Sequence, residues 1–428
     1  MSGQDETKPS RPCRVVILGD HHAANRGDQA IVKGLLRAVD LAYDRPEVTI
    51  LSNAAPAAAH FLGRPAVQST FFGWTARERL KRHVARAWLR PAWRPAARWV
   101  LGEQSLAALE LLDSADVVLM KGGAAFTSAY GMAVLIWFDL LEAALALGKP
   151  VAVCGQSVGP LSAPLRRAAA SVFPRLGQLI IRDQDSMQYV HTHLGRLDNL
   201  SHLPDTAFFM LPQPGFAAAA ALAAEGVNVG DRPLATMTVR RLEGFLALRR
   251  APISQVQYEA AMAATADHLI ETCGCAVLLP GMCTEAFGYQ FDDRLVAMRV
   301  WNRMRHKPSA RVLLGEYTSE QLMGIYGLAG LNVGTRMHSN ILAMMAGAPC
   351  LGIAYEHKTS GIFRDLDLAD WWISLEDVSA EALCGRAVRA WRDRAALAQQ
   401  ARAAAGRCAA QLPELVRLLR RLRSGQAA

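Results

Sequence analysis

The sequence predicts an α/β protein with two parallel-sheet domains, each carrying helices on both faces of its sheet. In the first half, five apolar runs are each followed by small or polar residues and then by a segment of helical character. A second series of the same units follows residues 211–233, which are rich in Pro, Gly and Ala and which we assign as an interdomain linker. Continuous apolar runs in a βα rhythm are typical of parallel strands that are buried on both faces.

The first half of the chain, residues 1–212, is predicted to form the N-terminal domain. A turn is expected at Asn25, Gly27 and Asp28, with Asp28 placed to cap a helix that continues through Val39. No GxGxxG follows the first strand, so a dinucleotide is not indicated. The strands predicted for this domain are Arg14–Leu18, Val48–Leu51, Val117–Met120, Val151–Cys154 and Leu179–Ile181.

The second half is predicted to form the C-terminal domain, residues 213–376, followed by helices in residues 377–428. The Ala-, Leu- and Arg-rich stretch 379–424 has helical spacing and predicts two terminal helices. The strands predicted for this domain are Leu234–Val239, Ala276–Leu279, Ala310–Leu314, Leu331–Val333, Cys350–Ala354 and Trp371–Ile373. The helices between them are predicted at Gln257–Cys273, Phe291–Met304, Ser319–Gly327 and Asn340–Ala346.

Composition narrows the class of partner. The chain has 47 basic and 38 acidic residues, a net charge of +9, which suits an anionic substrate, an acidic polysaccharide or a membrane surface. No RNP, zinc-finger or leucine-zipper pattern occurs, so no nucleic-acid partner is expected. The eight cysteines are scattered without a CxxC pair, which predicts buried free thiols in a reducing cytoplasm.

Neither a membrane span nor a metal site is expected. The polar N-terminus has no apolar core of a signal peptide. The most apolar stretch, residues 132–148, contains Asp139 and Glu142 and is too short and too charged to span a bilayer. No histidine pair has a third ligand at metal spacing. We therefore expect a cytoplasmic protein, with the inner face of the plasma membrane as an alternative location.

Residues 76–100 differ in character from the rest of the chain. Eight Arg and Lys residues surround Trp88, Trp93 and Trp99, and Glu78 is the single acid among them. One interpretation is a peripheral element that lies against an anionic membrane or a lipid-linked acceptor. The other is a solvated surface insertion, and the sequence leaves both open.

Cationic side chains follow three strands of the predicted C-terminal domain. Arg240 follows the first strand, Arg336 and His338 follow Leu331–Val333, and Lys358 follows the strand after that. Ligands of open parallel sheets bind beyond the carboxyl ends of the strands, and a helix start there attracts anions. The pattern predicts a site for a small phosphorylated or carboxylated molecule.

A series of short motifs lies along residues 13–370. They are Asn25-x-Gly27-Asp28-Gln29-Ala30-Ile31, Gly122-Gly123, Gln156-Ser157-Val158-Gly159-Pro160, Arg182-Asp183-x-x-Ser186, Pro204-Asp205, Arg240, Arg336-x-His338-Ser339, Gly347-x-Pro349 and Tyr355-x-x-Lys358. Their order and spacing resemble those of polysaccharide pyruvyl transferases. The resemblance implies a GT-B-like fold with two Rossmann-like, doubly wound domains facing a cleft, followed by C-terminal helices.

The resemblance also implies an activity. Members of that family move a pyruvyl group from phosphoenolpyruvate onto two hydroxyls of a sugar, which forms a cyclic ketal. The acceptor would be a free sugar, a lipid-linked oligosaccharide or a polysaccharide of the cell surface. Phosphoenolpyruvate would be the donor substrate, and no cofactor is expected.

Roles for individual residues follow from this resemblance. The phosphate and carboxylate of the donor require fixed cations, for which Arg240, Arg336 and Lys358 are candidates together with Ser339. His338 is the expected general acid and base, with Arg336 beside it, because an unperturbed imidazole titrates near pH ~6.5. The residues assigned to the acceptor side or the cleft are Asn25, Asp28, Gly122, Gly123, Gln156, Ser157 and Glu285.

Other interpretations stay open. Arg336 is also a candidate for a structural ion pair, His338 for a helix cap and Lys358 for a surface charge. Asp183 and Asp205 are interpreted as turn residues. For the whole chain, the alternatives are a nucleotide-sugar-dependent glycosyltransferase on the same fold and a non-catalytic member of an envelope-polymer assembly.

Overall fold

The structure, a computed structural model, describes residues 11–20, 22–69, 88, 93–230, 232–243 and 253–424, without the side chains of 96–98, 357 and 358. It contains two parallel sheets, each flanked by helices, and a set of C-terminal helices. The predicted α/β class with two parallel-sheet domains is therefore confirmed.

The N-terminal domain has an eight-stranded sheet in its described part. Its strands are β1 (Arg14–Asp20), β2 (Glu47–Ser52), β3 (Ala66–Gln68), β4 (Val117–Met120), β5 (Gly123–Phe126), β6 (Val151–Val158), β7 (Gln178–Ile181) and β8 (Leu200–His202). Its helices are α1 (Arg26–Ala42), α2 (Ala55–Leu62), α3 (Arg94–Leu101), α4 (Glu103–Ser114), α5 (Leu135–Ala146), α6 (Ala163–Val172) and α7 (Gln184–Leu194). The strand order is β3-β2-β1-β4-β6-β7-β8, and β5 pairs with β6.

The C-terminal domain has a six-stranded sheet among its described residues. Its strands are β9 (Leu234–Thr238), β10 (Ala276–Leu279), β11 (Ala310–Val312), β12 (Leu331–Gly334), β13 (Cys350–Ala354) and β14 (Trp372–Ser374), in the order β11-β10-β9-β12-β13-β14. Its helices are α8 (Ala218–Ala224), α9 (Gln255–Cys273), α10 (Asp293–Arg303), α11 (Ser319–Tyr326), α12 (Met337–Met345) and α13 (His357–Asp365). The chain ends in α14 (Ala380–Arg392), α15 (Arg394–Ala409) and α16 (Leu412–Ser424).

The buried central strands are the ones that the sequence predicts, because each is a continuous apolar run. β4 and β7 are buried along their full length. The strands β3, β5 and β8 are only three or four residues long and mostly half-buried, so they leave no comparable apolar signal. None of these three strands is predicted from the sequence.

Three local predictions are wrong. Asn25, not Asp28, is the N-cap of α1: its side-chain oxygen accepts a hydrogen bond from the amide of Gly27. The predicted linker, residues 211–233, includes α8, whose Leu222 is buried in the core of the C-terminal domain. The stretch 379–424 forms three helices, because one break at Asp393 separates α14 from α15 and a second break, between Ala409 and Leu412, separates α15 from α16.

The last helix of the described residues, α16, returns to the N-terminal domain. Its Leu415 and Leu419 are buried in the same core as Val39 of α1. Tyr43 Oη donates a hydrogen bond to the carbonyl of Leu419 at 2.7 Å. The polypeptide therefore crosses between the two domains twice.

One described stretch, Ser128–Ala146, is long and apolar enough to cross a membrane by length and composition alone. A core helix passes the same test, and Ile136, Phe138 and Leu141 of α5 are buried in the N-terminal core. Gly131 interrupts the stretch with a non-helical backbone conformation.

Candidate functional site

The two sheets share an arrangement that determines where a ligand can bind. In each sheet the first strand has the next strands of the chain on one side and later strands on its other side. This change of side, the switch point, lies between β1 and β4 in one domain and between β9 and β12 in the other. Ligands of such sheets bind in the crevice outside the carboxyl ends of the strands at this switch point. The residues that leave these strand ends are Lys121 after β4, Arg240 after β9 and Arg336 after β12.

Arg336 is the N-cap residue of α12 and pairs with a buried acid. Its Nε and Nη2 donate to the Asp293 carboxylate at 3.0 and 2.5 Å. Burial opposes the charge of the guanidinium, but Asp293, together with Cys283 and Tyr355, outweighs it and holds the pKa of Arg336 above its usual value. The alternative of an ion pair is therefore present in the structure, and the role of Arg336 in donor binding stays a prediction.

Arg240 lies on an aromatic ring. Its guanidinium carbon is 4.3 Å from the centre of the Tyr355 ring, within the range of a cation–π contact. Tyr355 follows β13 and is also close enough to act on the ionisation of Arg336. The same ring therefore neighbours both arginines.

The buried thiol of Cys283 marks the point where charges from both domains meet. Burial raises its pKa to about 12. The charged groups near enough to act on its ionisation are Arg336, Asp293, Arg240 and Asp28. Asp28 comes from the N-terminal domain and the other three come from the C-terminal domain, so the two switch points face each other here.

His338 lies in the first turn of α12 and reaches across to the N-terminal domain. Its Nε2 is 3.4 Å from Oδ2 of Asp205, and this nitrogen makes no shorter hydrogen bond to the described residues. Asp205 is fully buried and also pairs with Arg182 at 2.5 Å. Burial opposes the ionisation of Asp205, but Arg182, His338 and the amide of Ala207 together outweigh it and hold the pKa of this carboxyl well below its usual range. The imidazole therefore faces an ionised carboxylate.

The N-terminal side of the crevice holds a second ion pair. Lys121 is buried and donates to Oδ1 of Asp28, while Asn25 Nδ2 donates to the other oxygen of Asp28 at 3.0 Å. The Asp28 side chain is 20% exposed and that of Lys121 is 4% exposed, so Asp28 is the more open member of this ion pair.

The predicted glycine and glutamine residues hold the loop after β4 in place. A Cβ on Gly122 would lie 2.7 Å from the carbonyl oxygen of Gly155, so no larger residue fits. Gln156 is buried; its Nε2 donates to the Lys121 carbonyl at 2.7 Å and its Oε1 accepts from the Ala125 amide. Gly123 follows at a positive φ of 142°. These residues shape the crevice wall, and their contact with an acceptor stays a prediction.

Four other predicted residues lie in different surroundings. Ser339 is buried, and its hydroxyl bonds to Thr238 Oγ1 at 2.8 Å and donates to the Arg336 carbonyl. Ser157 donates to Asp183 at 2.6 Å, behind the Arg182–Asp205 pair. The other two are Glu285, which is exposed in the segment after β10, and Lys358, which begins α13 with a side chain outside the described part.

Three residues of the site are missing from the sequence-based assignment. Asp205 is interpreted from the sequence as a turn residue, yet it and Asp293 are both buried ion-pair partners. Lys121 directly follows β4, and the rule that selects Arg240 at a strand end selects it equally well. A buried acid has no such local signal, because its partner is distant in sequence.

The basic, Trp-bearing segment is described only in part. Trp88 is buried with the Arg94 guanidinium 4.4 Å from its ring centre, whereas Trp99 is 92% exposed. Trp88, Arg94 and Trp99 line an open cavity of about 910 Å³ on α3 and α4. Within residues 76–100, positions 76–87 and 89–92 lie outside the described residues.

Comparison with solved structures agrees with the fold. A UDP-N-acetylglucosamine 2-epimerase from Neisseria meningitidis superposes with a TM-score of 0.57 at 9% identity, over 95% of this chain and 99% of that one. A glycosyltransferase from Rickettsia africae gives 0.55 at 9% identity, over 97% of each chain. A putative UDP-N-acetylglucosamine 2-epimerase from Listeria monocytogenes gives 0.58 at 11% identity, over 94% of this chain and 96% of that one. At these identities the likeness shows a GT-B, Rossmann-like fold and nothing about the ligand.

Comparison of sequences is more specific. The amylovoran biosynthesis protein AmsJ of Erwinia amylovora is 27% identical over 366 residues, which covers 83% of this chain and 87% of that protein. The family model of polysaccharide pyruvyl transferases matches residues 25–357. This match begins at the N-cap of α1, ends at the start of α13 and includes the charged residues of both switch points. The chain therefore belongs to the polysaccharide pyruvyl transferase family.

Proposed function

We propose that this protein transfers a pyruvyl group from phosphoenolpyruvate to two hydroxyls of a sugar in an exopolysaccharide or its precursor, forming a ketal. The observation that carries the proposal is the position of Arg240, Arg336 and His338 at neighbouring strand ends of one switch point, opposite Lys121 and Asp28. A donor with a phosphate and a carboxylate requires fixed cations on one wall and an acid/base group beside them.

The donor would bind to the C-terminal wall. Arg240 is held flat by the Tyr355 ring and Arg336 is oriented by Asp293, so neither guanidinium has to be ordered when the anion arrives. Side chains that are already ordered lose little conformational entropy when a ligand binds. Arg also presents two parallel N–H groups to a carboxylate or phosphate. Lys358 is the further cation proposed from the sequence.

The proposed chemistry uses His338 as both acid and base. The imidazolium gives a proton to the methylene carbon of phosphoenolpyruvate, which leaves an oxocarbenium-like carbon. A sugar hydroxyl forms a C–O bond to that carbon and returns its proton to the imidazole. The bond to phosphate then breaks, the second hydroxyl closes the ketal, and its proton leaves with the phosphate. Proton transfer by a positioned side chain typically contributes about 10²–10⁴-fold to the rate.

The direct test is donor binding followed by product analysis. Phosphoenolpyruvate at millimolar concentration should raise the melting temperature, because a ligand that binds only the folded state stabilises it. Incubation with phosphoenolpyruvate and a panel of lipid-linked or model glycosides should then give products whose mass has increased by one ketal-linked pyruvate. A shift with UDP- or GDP-sugars and none with phosphoenolpyruvate would contradict the proposal and favour the glycosyltransferase alternative.

Two adjacent arginines provide a matched pair of variants. Arg240→Ala should weaken the phosphoenolpyruvate shift, since a hydrogen bond to a charged group contributes about 1.5–3 kcal/mol. Arg241→Ala should leave the shift unchanged, because Arg241 is exposed and pairs with Glu243 on the surface. Equal effects of the two substitutions would remove Arg240 from the donor site.

We further propose that the face around α3 contacts an anionic membrane on which a lipid-linked acceptor is presented. Trp93 and Trp99 are 57% and 92% exposed, and the sequence from 76 to 100 has eight basic residues against one acid. Exposed Trp beside basic residues is the composition that partitions into a negatively charged interface. The full chain should co-sediment with phosphatidylglycerol vesicles and not with phosphatidylcholine vesicles.

The membrane proposal has its own control. Trp93→Ser combined with Trp99→Ser should abolish co-sedimentation. Leu295→Ser should not, although Leu295 is also 61% exposed, because it lies on α10 of the other domain. Retention of vesicle binding by the Trp variant would contradict the proposed face.

A further inference from the structure

The ring of His338 is enclosed by the domain opposite its own. It belongs to α12 of the C-terminal domain, yet its two nitrogens face Asp205 and Gly27, which both belong to the N-terminal domain. The side chain is 17% exposed, so a reacting group has limited access to it.

The two nitrogens have different surroundings. Nε2 is buried and lies 3.4 Å from the Asp205 carboxylate, whose other contacts are Arg182 Nη1 and the amide of Ala207. The partner of one imidazole nitrogen determines which nitrogen carries the proton and which is available for reaction. The carboxylate therefore retains an N–H on Nε2, and Nδ1 is the nitrogen left for the substrate.

Because residue 27 is glycine, the His338 ring can lie close to α1 with no side chain of residue 27 over Nδ1. A Cβ on residue 27 would lie 2.4 Å from Nδ1 and 2.8 Å from Cγ, and the three nearest atoms it would meet all belong to His338. Gly27 has an ordinary helical backbone in the first turn of α1, so its lack of a side chain is not needed for conformation. The glycine is needed for the close approach of the ring.

We propose that the acid/base group of this protein is assembled from both domains: Asp205 is a positioning residue that holds Nε2 of His338, and Gly27 keeps Nδ1 open to the donor. The inference rests on the proposed function, in which His338 protonates phosphoenolpyruvate. It adds that the imidazole reaches its working orientation only when the N-terminal domain is packed against α12.

The sharpest test is Gly27→Ala, because the three atoms nearest to the added methyl all belong to the His338 side chain. Pyruvyl transfer should fall at least 100-fold, with the Michaelis constant for phosphoenolpyruvate within about threefold of wild type. The matched control is Gly385→Ala, since Gly385 lies in α14 with no atom within 4 Å of an added Cβ. Turnover of Gly27→Ala within threefold of wild type would overturn the proposal.

A thermodynamic cycle makes the inference testable without any activity. Gly27→Ala should lower the melting temperature by roughly 2–4 °C in wild type. In a His338→Ala background the same change should lower it far less, because Nδ1 and Cγ, the two nearest atoms, are gone and only Cβ at 3.1 Å remains. Equal shifts in the two backgrounds would overturn the inference even if pyruvyl transfer is observed. Coupled shifts without any pyruvyl transfer would support the contact and contradict only the proposed reaction.

The Asp205→Asn variant tests whether Asp205 positions the His338 ring through Nε2. The variant should lose turnover more than tenfold while the Michaelis constant for phosphoenolpyruvate changes little, and Asp205→Glu should recover part of the loss. A purely structural role would not separate these two constants or respond to the conservative variant. A fully active Asp205→Asn protein would exclude Asp205 from positioning the ring.

Discussion

At the scale of single residues, the site is built from charges that are paired before any ligand is present. Asp205 with Arg182, Asp293 with Arg336 and Asp28 with Lys121 each join an acid to a cation. Breaking a buried pair is costly because the remaining charge has no partner and no water. The geometry of each side chain is therefore fixed by the fold and not by the substrate.

The lowered pKa of Asp205 predicts how the free energy of unfolding changes at acidic pH. Its pKa in the folded protein is held below the value of about 3.9 found in unfolded chains, so its contribution to stability is complete above that pH and declines as the pH falls below it. Asp205→Asn should lower the free energy of unfolding at pH 7 by about 3–5 kcal/mol, since Arg182 loses its partner. Urea denaturation should show this difference shrinking below about pH 4.

The control for this prediction is an exposed acid. Asp44 lies on the surface with its side chain 68% exposed, so Asp44→Asn should change the free energy of unfolding by less than about 1 kcal/mol at either pH. A difference between wild type and Asp205→Asn that stays constant down to pH 3 would show that the carboxylate charge is not responsible.

At the scale of elements, the turn from β12 into α12 is locked by side-chain amides. Asn340 Oδ1 accepts from Asn332 Nδ2 at 2.9 Å, and Asn340 Nδ2 donates to the Gly334 carbonyl at 3.0 Å. A Cβ on Gly334 would lie 2.2 Å from that amide oxygen, so glycine is required there. This lock sets the direction in which Arg336 and His338 leave the turn.

Asn340→Ala should therefore destabilise the protein and weaken the site together. Each buried polar group left without a partner costs about 1–3 kcal/mol, which urea unfolding would detect. The phosphoenolpyruvate-induced rise in melting temperature should fall as well. Asn302→Ala, at an exposed position of α10, should change neither quantity. A stable Asn340→Ala protein with a normal ligand shift would contradict the role of the lock.

The elements also show what local sequence can and cannot predict. The strand ends that carry Arg240, Arg336 and His338 are predictable from sequence, because a strand end is a local pattern. The pairing of Asp293 with Arg336 and of Asp205 with Arg182 joins residues 43 and 23 positions apart, and no single-sequence pattern indicates it. Short strands such as β8 are not predictable in this way, because pairing with a neighbouring strand, and not their own composition, makes them strands.

At the scale of the whole molecule, Arg26 connects the two domains. Its guanidinium is buried, extends from α1 into the C-terminal domain, and donates to the Tyr317 carbonyl, Thr284 and Glu316 at 2.5, 3.1 and 2.6 Å. It also lies 4.4 Å from the centre of the Phe61 ring. Burial lowers the pKa of Arg26 from its usual value, so these partners offset a desolvation cost.

Arg26→Met should loosen the contact between the domains. Because the acceptors in the C-terminal domain lose their donor, we expect a lower melting temperature and a broader or two-step transition in calorimetry. Arg64→Met removes a surface pair with Asp40 in the same domain and should change stability by less than about 1 kcal/mol. A single unchanged transition in Arg26→Met would show that the domains are joined mainly by other contacts.

The position of α16 has a consequence for the order in which this protein is made. A ribosome that has finished the first 212 residues has not yet translated the leucines that cover Val39 of α1 and Tyr43, the residue after this helix. The nascent N-terminal half must leave that apolar surface open while the second domain is synthesised. Its burial is completed only when α16 emerges, so a chain halted before residue 412 would expose an adhesive apolar patch to chaperones and to other unfinished chains.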